Sequence, residues 1–353
     1  MRKLLVVTSI ALSLSLFGAA AHAMTSDQAL APAKAANLEK DGGALAKLQT
    51  AAQGGDANAQ NSLGYMYANG QGVPQDYAKA LSWYRKPAEQ GNANAQSILG
   101  VMYYTGRGVP KDYAKALSWW RKAAEQGEAT AQTGLAVMYE HGFGMPQDYG
   151  QAVSWFRKAA EQGVSLAQVS LGFMYEKGHG VPQDYTQAVS WYRKAAEQGN
   201  ANAQTILGIM YKHGRGVPKD YAKALSWYRK AAEQGEADAQ NNLGSMYADG
   251  QGVPQENAKA VFWYRKAADR GNANAQSNLG GVYELGHGVA QNDVIAYALF
   301  NIAASNDPSK YNPAAMERDA LAYQMSEGQI EAAQRLSQSM QTVGVLKAVA
   351  SMN

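Results

Sequence analysis

The sequence predicts an all-α fold, an α-solenoid of helix–turn–helix repeats with a 36-residue period. Leu-Gly recurs in register at Leu63-Gly64, Leu99-Gly100, Leu171-Gly172, Leu207-Gly208, Leu243-Gly244 and Leu279-Gly280, with Leu135-Ala136 in the third copy. Trp recurs in the same register at Trp83, Trp119, Trp155, Trp191, Trp227 and Trp263. Within each period the apolar residues fall at helical spacing, and Gly and Pro break the pattern. One such hairpin cannot bury both of its apolar stripes, whereas stacked copies can.

Taken in order, residues 1–23 read as a secretory signal. Arg2 and Lys3 give a positive start, Leu4 to Phe17 a short apolar run, and Ala21-His22-Ala23 a small-x-small cleavage pattern. The run is too short to span a bilayer comfortably, and no later stretch is long and apolar enough to span one. The mature chain is therefore expected to be exported and soluble, in a periplasm or outside the cell. Residues 24–55 form an N-terminal cap, in which Leu45, Leu48 and Ala52 resemble a lone second helix closed by Gly54-Gly55. Seven copies then fill residues 56–307, beginning at Asp56, Asn92, Glu128, Val164, Asn200, Glu236 and Asn272.

The second copy shows the logic. Asn92 to Thr105 is a helix with Ala95, Leu99, Met102 and Tyr103 on one side, and Gly106 is its left-handed cap. Gly106 to Pro110 is a turn. Asp112 then caps a second helix running to Gln126, whose stripe is Ala116, Trp119 and Ala123. Gly100 stands inside the first helix, where Gly costs roughly 1 kcal/mol against Ala; its recurrence points to a neighbour crossing closely there. Pro87, within the second helix of the first copy, should kink it. The seventh copy is degenerate, losing its Trp and Pro and becoming the more apolar Asn292 to Ser305. Residues 308–353 complete the C-terminal cap and tail. There Ser326 and Gln329 make a capping box for a helix carrying Ile330, Ala333 and Leu336.

In the second copy Ala95, Leu99, Gly100, Tyr103, Gly106, Gly108, Val109, Asp112, Lys115, Ala116, Trp119, Trp120, Lys122, Ala123, Ala124 and Gly127 form a unit that resembles the Sel1-like repeat. That repeat is related to the tetratricopeptide repeat and has a longer turn between its helices. The match is close over residues 56–291. The resemblance implies a right-handed solenoid with a concave groove, and a role as a protein-binding adaptor. Exported bacterial members are common in signalling, envelope assembly and host contact. Members with enzyme-like claims are cysteine-rich, and this chain has no cysteine, so that activity is not carried over.

Composition narrows the remaining classes. Without cysteine there is no disulfide, thiolate metal site or cysteine nucleophile. Removing Arg2 and Lys3 leaves 30 basic against 29 acidic residues, so no global charge argues for nucleic acid or an anionic membrane. No cofactor or metal is expected. His141, His179, His213 and His287 stand one copy or more apart and lack the converging ligands that zinc needs. The turn glycines follow no strand and precede no Lys-Ser/Thr, which excludes a phosphate loop. No nucleophile elbow is present.

Binding residues are sought among positions that vary between copies. Positions 4, 8, 12, 25 and 28 of the unit hardly change and carry the core, whereas positions 6, 7, 10, 13 and 14 vary most and share one face of the first helix. The second and fifth copies differ at only five positions. Four are on that face: Ser97/Thr205, Val101/Ile209, Tyr104/Lys212 and Thr105/His213. The face is the groove-lining one in the tetratricopeptide relatives. The candidate partner-binding residues are Ser97, Val101, Tyr104, Val137, Glu140, His141, Phe173, Glu176, Lys177, Ile209, Lys212 and His213. An apolar strip with mixed charges suits an extended peptide or a partner helix; drift on an unconstrained surface is the alternative. The Trp series is read as core, and Tyr84, Trp120, Phe156, Tyr192, Tyr228 and Tyr264 as exposed neighbours packing between copies. Arg85 with Glu89, and Arg193 with Glu197, read as weak i,i+4 pairs on a solvated face. Two other functions compete with an adaptor. One is a passive spacer. The other is a glycan binder or hydrolase, for which Glu140 and Glu176 would be the paired carboxylates.

Overall fold

The computed structural model describes residues 42–306 and 312–351. The expected signal segment, residues 24–41 of the N-terminal cap and residues 307–311 lie outside them. The described residues contain helices and turns and no strand. By internal contacts the chain divides into two compact units, Met1–Ala195 and Ala196–Asn353.

In the first unit α1 (Gly42–Gln53) precedes α2 (Ala57–Asn69), α3 (Tyr77–Glu89), α4 (Ala93–Thr105), α5 (Tyr113–Glu125), α6 (Ala129–His141), α7 (Tyr149–Glu161) and α8 (Ser165–Lys177). Helix α9 (Tyr185–Glu197) reaches the division. The second unit continues with α10 (Ala201–His213), α11 (Tyr221–Glu233), α12 (Ala237–Asp249), α13 (Asn257–Asp269), α14 (Ala273–Leu285) and α15 (Asp293–Asn306). It closes with α16 (Pro313–Ala322), α17 (Glu327–Val343) and α18 (Val345–Ala350). Most helices pack on their chain neighbours inside their unit, which is the nearest-neighbour architecture of an α-solenoid.

The chemistry of a copy sets its boundaries. Asp112 has extended backbone (φ −147°, ψ 97°) and accepts the Lys115 amide at 3.0 Å, opening α5. Gly106 sits at φ 77° and returns its own amide to the Met102 carbonyl, closing α4 with a left-handed cap. Val164 has no side-chain oxygen to offer, yet α8 starts in the same register, so packing outweighs the missing cap. Helix α3 likewise carries through Pro87 to Glu89, the same span as its counterparts, so the expected kink does not shorten it. Pro87 lies in the last turn, where few backbone bonds remain to be lost.

The core differs from the expectation in one respect. The residue after each Trp is the more buried one: Trp120, Phe156 and Tyr228 are 0% exposed, whereas Trp119, Trp155 and Trp227 are only partly buried. The buried stripe of α5 is Ala116, Trp120, Ala123 and Ala124. The close approach inferred at Gly100 is this buried ring. A Cβ on Gly100 would lie 2.3 Å from Trp120 Cδ1, and one on Gly134 of the next copy 2.7 Å from Trp120 Cε2. Trp120 is thus held between two glycines, and its Nε1 donates to the Ser97 carbonyl at 3.1 Å. In the third copy the glycine is Ala136 and the ring is the smaller Phe156, an exchange that keeps volume nearly constant.

At the ends, Ala52 of α1 is fully buried with Leu45 and Leu48 packed beside it. Helix α17 opens with the Ser326–Gln329 capping box and buries Ala333 and Leu336, while Ile330 is half-buried. Helices α16 and α17 both pack on α15, covering its unusually apolar surface.

Candidate partner-binding face

The first helices α4, α6, α8 and α10 carry every residue the sequence nominated. The structure separates those residues by depth. Ser97, Val101, Tyr104, Val137 and Glu140 are buried. His141, Phe173, Glu176, Ile209 and Lys212 are half-buried, and Lys177 and His213 are exposed. Only the latter two groups present surface in the folded chain.

Of the buried set, Tyr104 and Ser97 meet the ring at position 29 of their copy, Trp120. Tyr104 lies over Trp120, their centroids 5.3 Å apart, and also approaches Tyr113 (5.5 Å) and Phe143 (6.2 Å). Phe143, at the tip of the following turn, stacks on Tyr113 at 5.0 Å and 11°, and Lys111 Nζ stands 4.7 Å from the Tyr113 ring. In the fourth copy the Tyr192 hydroxyl donates to Glu176 Oε2 at 3.0 Å, and Lys177 pairs with Glu176 on the other side. In the third copy Phe156 has no hydroxyl to offer, and Glu140 Oε2 is buried without a hydrogen-bond partner. Desolvation pushes the Glu140 carboxyl up to about 7 and holds His141, whose Nε2 is 3.7 Å away, below the usual histidine range.

The exposed set forms a different surface in each unit. In the first unit Lys177 Nζ lies 5.4 Å from the Phe173 ring, and His179 meets Phe173 edge-on at 5.9 Å while stacking on Tyr149 at 4.6 Å. In the second unit the end of α10 is apolar and basic. Ile209 is half-buried beside the core, and Lys212, His213, Arg215 and Lys219 follow it. Partial burial, then the charges of Arg215, Lys212 and Lys219, hold the His213 imidazole below its usual range.

Two sets of residues that sequence reasoning passed over fix one copy on the next. Gln96, Gln132 and Gln204 are buried, and their amides donate to the carbonyls of Ala88, Ala124 and Ala196 at 3.0, 3.3 and 3.1 Å. Gln126, Gln162 and Gln234 donate in turn to those glutamines, each at 2.8 Å. Glutamine at the fifth position of every copy was the available signal. Arg85, Arg157 and Arg229 reach the hydroxyls of Tyr103, Tyr175 and Tyr247 in the following copy, at 3.4, 3.0 and 3.3 Å. Arg85 therefore serves a joint between copies, and the helix-face ion pair with Glu89 expected of it does not form.

Among the described residues no group of three His, Asp or Glu side chains converges as a metal site, and no described helix is long and apolar enough to cross a membrane.

Serial helix hairpins of one length, locked to their neighbours by repeated side-chain bonds, define an α-helical repeat scaffold. The chain belongs to the Sel1 repeat family. The Sel1 repeat model matches residues 57–92, 93–128, 129–164, 165–200, 201–236, 237–272 and 273–308. Among solved structures the chain is similar to a Sel1 repeat protein from Oxalobacter formigenes, at 35% identity over 70% of this chain and 96% of that one, with a TM-score of 0.62. It is also similar to c5321, a protective antigen of uropathogenic Escherichia coli with an SLR fold, at 32% identity over 88% and 89% of the two chains, with a TM-score of 0.36. A search of curated proteins gave no match. Sel1 repeats typically serve as protein-interaction scaffolds, and the family is generally non-catalytic.

Proposed function

We propose that this protein is an exported, non-enzymatic adaptor that binds a partner protein or peptide through the outward side chains of its first helices. The observation that carries the reading is the placement of variation. The second and fifth copies are otherwise nearly identical, and four of their five differences fall on the first helix, where three of them leave Ile209, Lys212 and His213 half-buried or exposed in the fifth copy. The most open of these differences, Thr105/His213, lies at the end of the helix, beside the turn. Export rests on the pattern of residues 1–23, with a periplasmic or secreted setting and roles in envelope assembly, signalling or host contact. In the second unit the apolar and basic surface of Ile209, Lys212, His213, Arg215 and Lys219 suits an extended acidic segment, with charge steering the encounter and the apolar contact holding it.

A glycan hydrolase would need two carboxylates open to a common cleft. Glu140 is buried, and Glu176 is engaged by Tyr192 and Lys177. That arrangement favours the adaptor.

The test is crosslinked capture from the native envelope, with residues 24–353 as bait beside the variant I209D/K212E/H213E. A partner held by the wild type and lost from the variant, with melting unchanged, supports the reading. An identical catch from both overturns it.

A further inference from the structure

Comparison of the third and fourth copies isolates one side chain that the binding role does not use. In the fourth copy Gly172, Tyr192 and Glu176 form a set: the ring packs against the glycine, and its hydroxyl donates to the carboxylate at 3.0 Å. In the third copy the same positions hold Ala136, Phe156 and Glu140. The carboxylate remains while its donor is gone. Glu140 Oε2 is buried without a hydrogen-bond partner, and Phe156 of the same copy is itself 0% exposed. An ionised carboxylate in that place would forfeit hydration at Oε2 with no hydrogen bond in exchange, whereas the protonated acid tolerates it better.

We propose that the third copy is a proton-controlled joint in the solenoid. With Glu140 protonated, α6 and α7 stay closed around Phe156. On ionisation the carboxylate leaves its buried position and the packing of α6 on α7 loosens.

The titratable and charged groups on this side of the copy are few. His141 is on the same helix, its Nε2 3.7 Å from Glu140 Oε2. From the neighbouring elements come Tyr104 on α4, Lys111 and Tyr113 before and at the start of α5, Tyr149 at the start of α7, and Glu176 with Lys177 at the equivalent place on α8. The shift of Glu140 has burial as its only cause, so none of these charges offsets the loss of water. The folded chain holds this proton more tightly than the unfolded chain does. The stability that Glu140 contributes is therefore complete below the ordinary carboxylate range, and it is lost as pH rises through about 7. Glu284 with Phe300 repeats the combination in the seventh copy. There the carboxyl is raised by burial and then by Glu317 and Asp293, but it stands nearer to solvent and weighs less.

Backbone hydrogen exchange on the full chain, corrected for the intrinsic dependence on pH, tests the joint at about pH 5 and about pH 8. Protection in α6 and α7 should fall about tenfold or more relative to α4 and α5 at the higher pH. E140Q should abolish that fall. A136G/F156Y, which rebuilds the set found in the fourth copy, should reduce it. Protection in α6 and α7 that is indifferent to pH in the wild type, or a fall that persists in E140Q, would overturn the proposal. Capture of a partner plays no part in the readout, so the result is independent of the adaptor reading.

Discussion

The second and fifth copies share a turn, caps and nearly all of their helices, and part company at five positions. The fifth difference is Trp120 against Tyr228, and it explains one of the other four. Tyr104 lies 5.3 Å from Trp120, so the ring at position 29 and the residue at position 13 form a contact pair. The fifth copy holds Tyr228 with Lys212 at those places, the fourth Tyr192 with a hydrogen-bonded Glu176, and the third Phe156 with a buried Glu140. Variation on the first helix is thus of two kinds. Some of it repacks around the ring, and some of it faces outward. Ile209, Lys212 and His213 give the fifth copy an outward surface that the second copy fills with buried Val101 and Tyr104.

The comparison can be broken at its centre first. Trp120→Ala should destabilise its copy by about 3–5 kcal/mol, more than Tyr228→Ala, because the larger ring fills space between Gly100 and Gly134 and also bonds the Ser97 carbonyl. Local hydrogen exchange would rank the two losses. Next comes Gly100→Ala. Its Cβ would enter the space of Trp120, and overpacking of this kind costs about 1–3 kcal/mol despite the gain in helix propensity. Adding Trp120→Phe should restore part of the lost melting temperature by copying the Ala136–Phe156 pair. Gln96→Leu should cost about 1–3 kcal/mol, because it deletes two hydrogen bonds, to the Ala88 carbonyl and from the Gln126 amide; the matching change Gln204→Leu should cost the same within error in urea unfolding. Lys212→Glu and His213→Glu should shift stability by less than about 0.5 kcal/mol, while weakening capture of an acidic partner in a salt-dependent way.

Much of this was written in the sequence. The 36-residue period, the Asp caps and the left-handed Gly106 fixed the helices, because each rests on backbone chemistry local to a few residues. Which of two adjacent aromatics faces inward was not legible from spacing. Trp119 stands three residues from Ala116 and four from Ala123, Trp120 four and three, and a helix allows both spacings. The glycine opposite decides, since only a ring seated on Gly100 requires it. The buried glutamines escaped notice because a polar side chain on an inward face looks like an interruption until its backbone partner is seen, eight residues back in the chain and at the end of the preceding helix. For the proposed binding face, the sequence nominated residues of the first helices without regard to depth. Ser97, Val101, Tyr104, Val137 and Glu140 vary between copies and are nonetheless covered by the neighbouring rings and helices.

The pairing of positions 13 and 29 is tested most directly by a double-mutant cycle in the second copy, using Tyr104→Lys, Trp120→Tyr and the two together, read by chemical unfolding. Coupling predicts that the double variant, which carries the pair of the fifth copy, loses less than the two single losses combined, by about 0.5–3 kcal/mol. Losses that simply add, to within about 0.3 kcal/mol, would contradict it and leave the two positions independent.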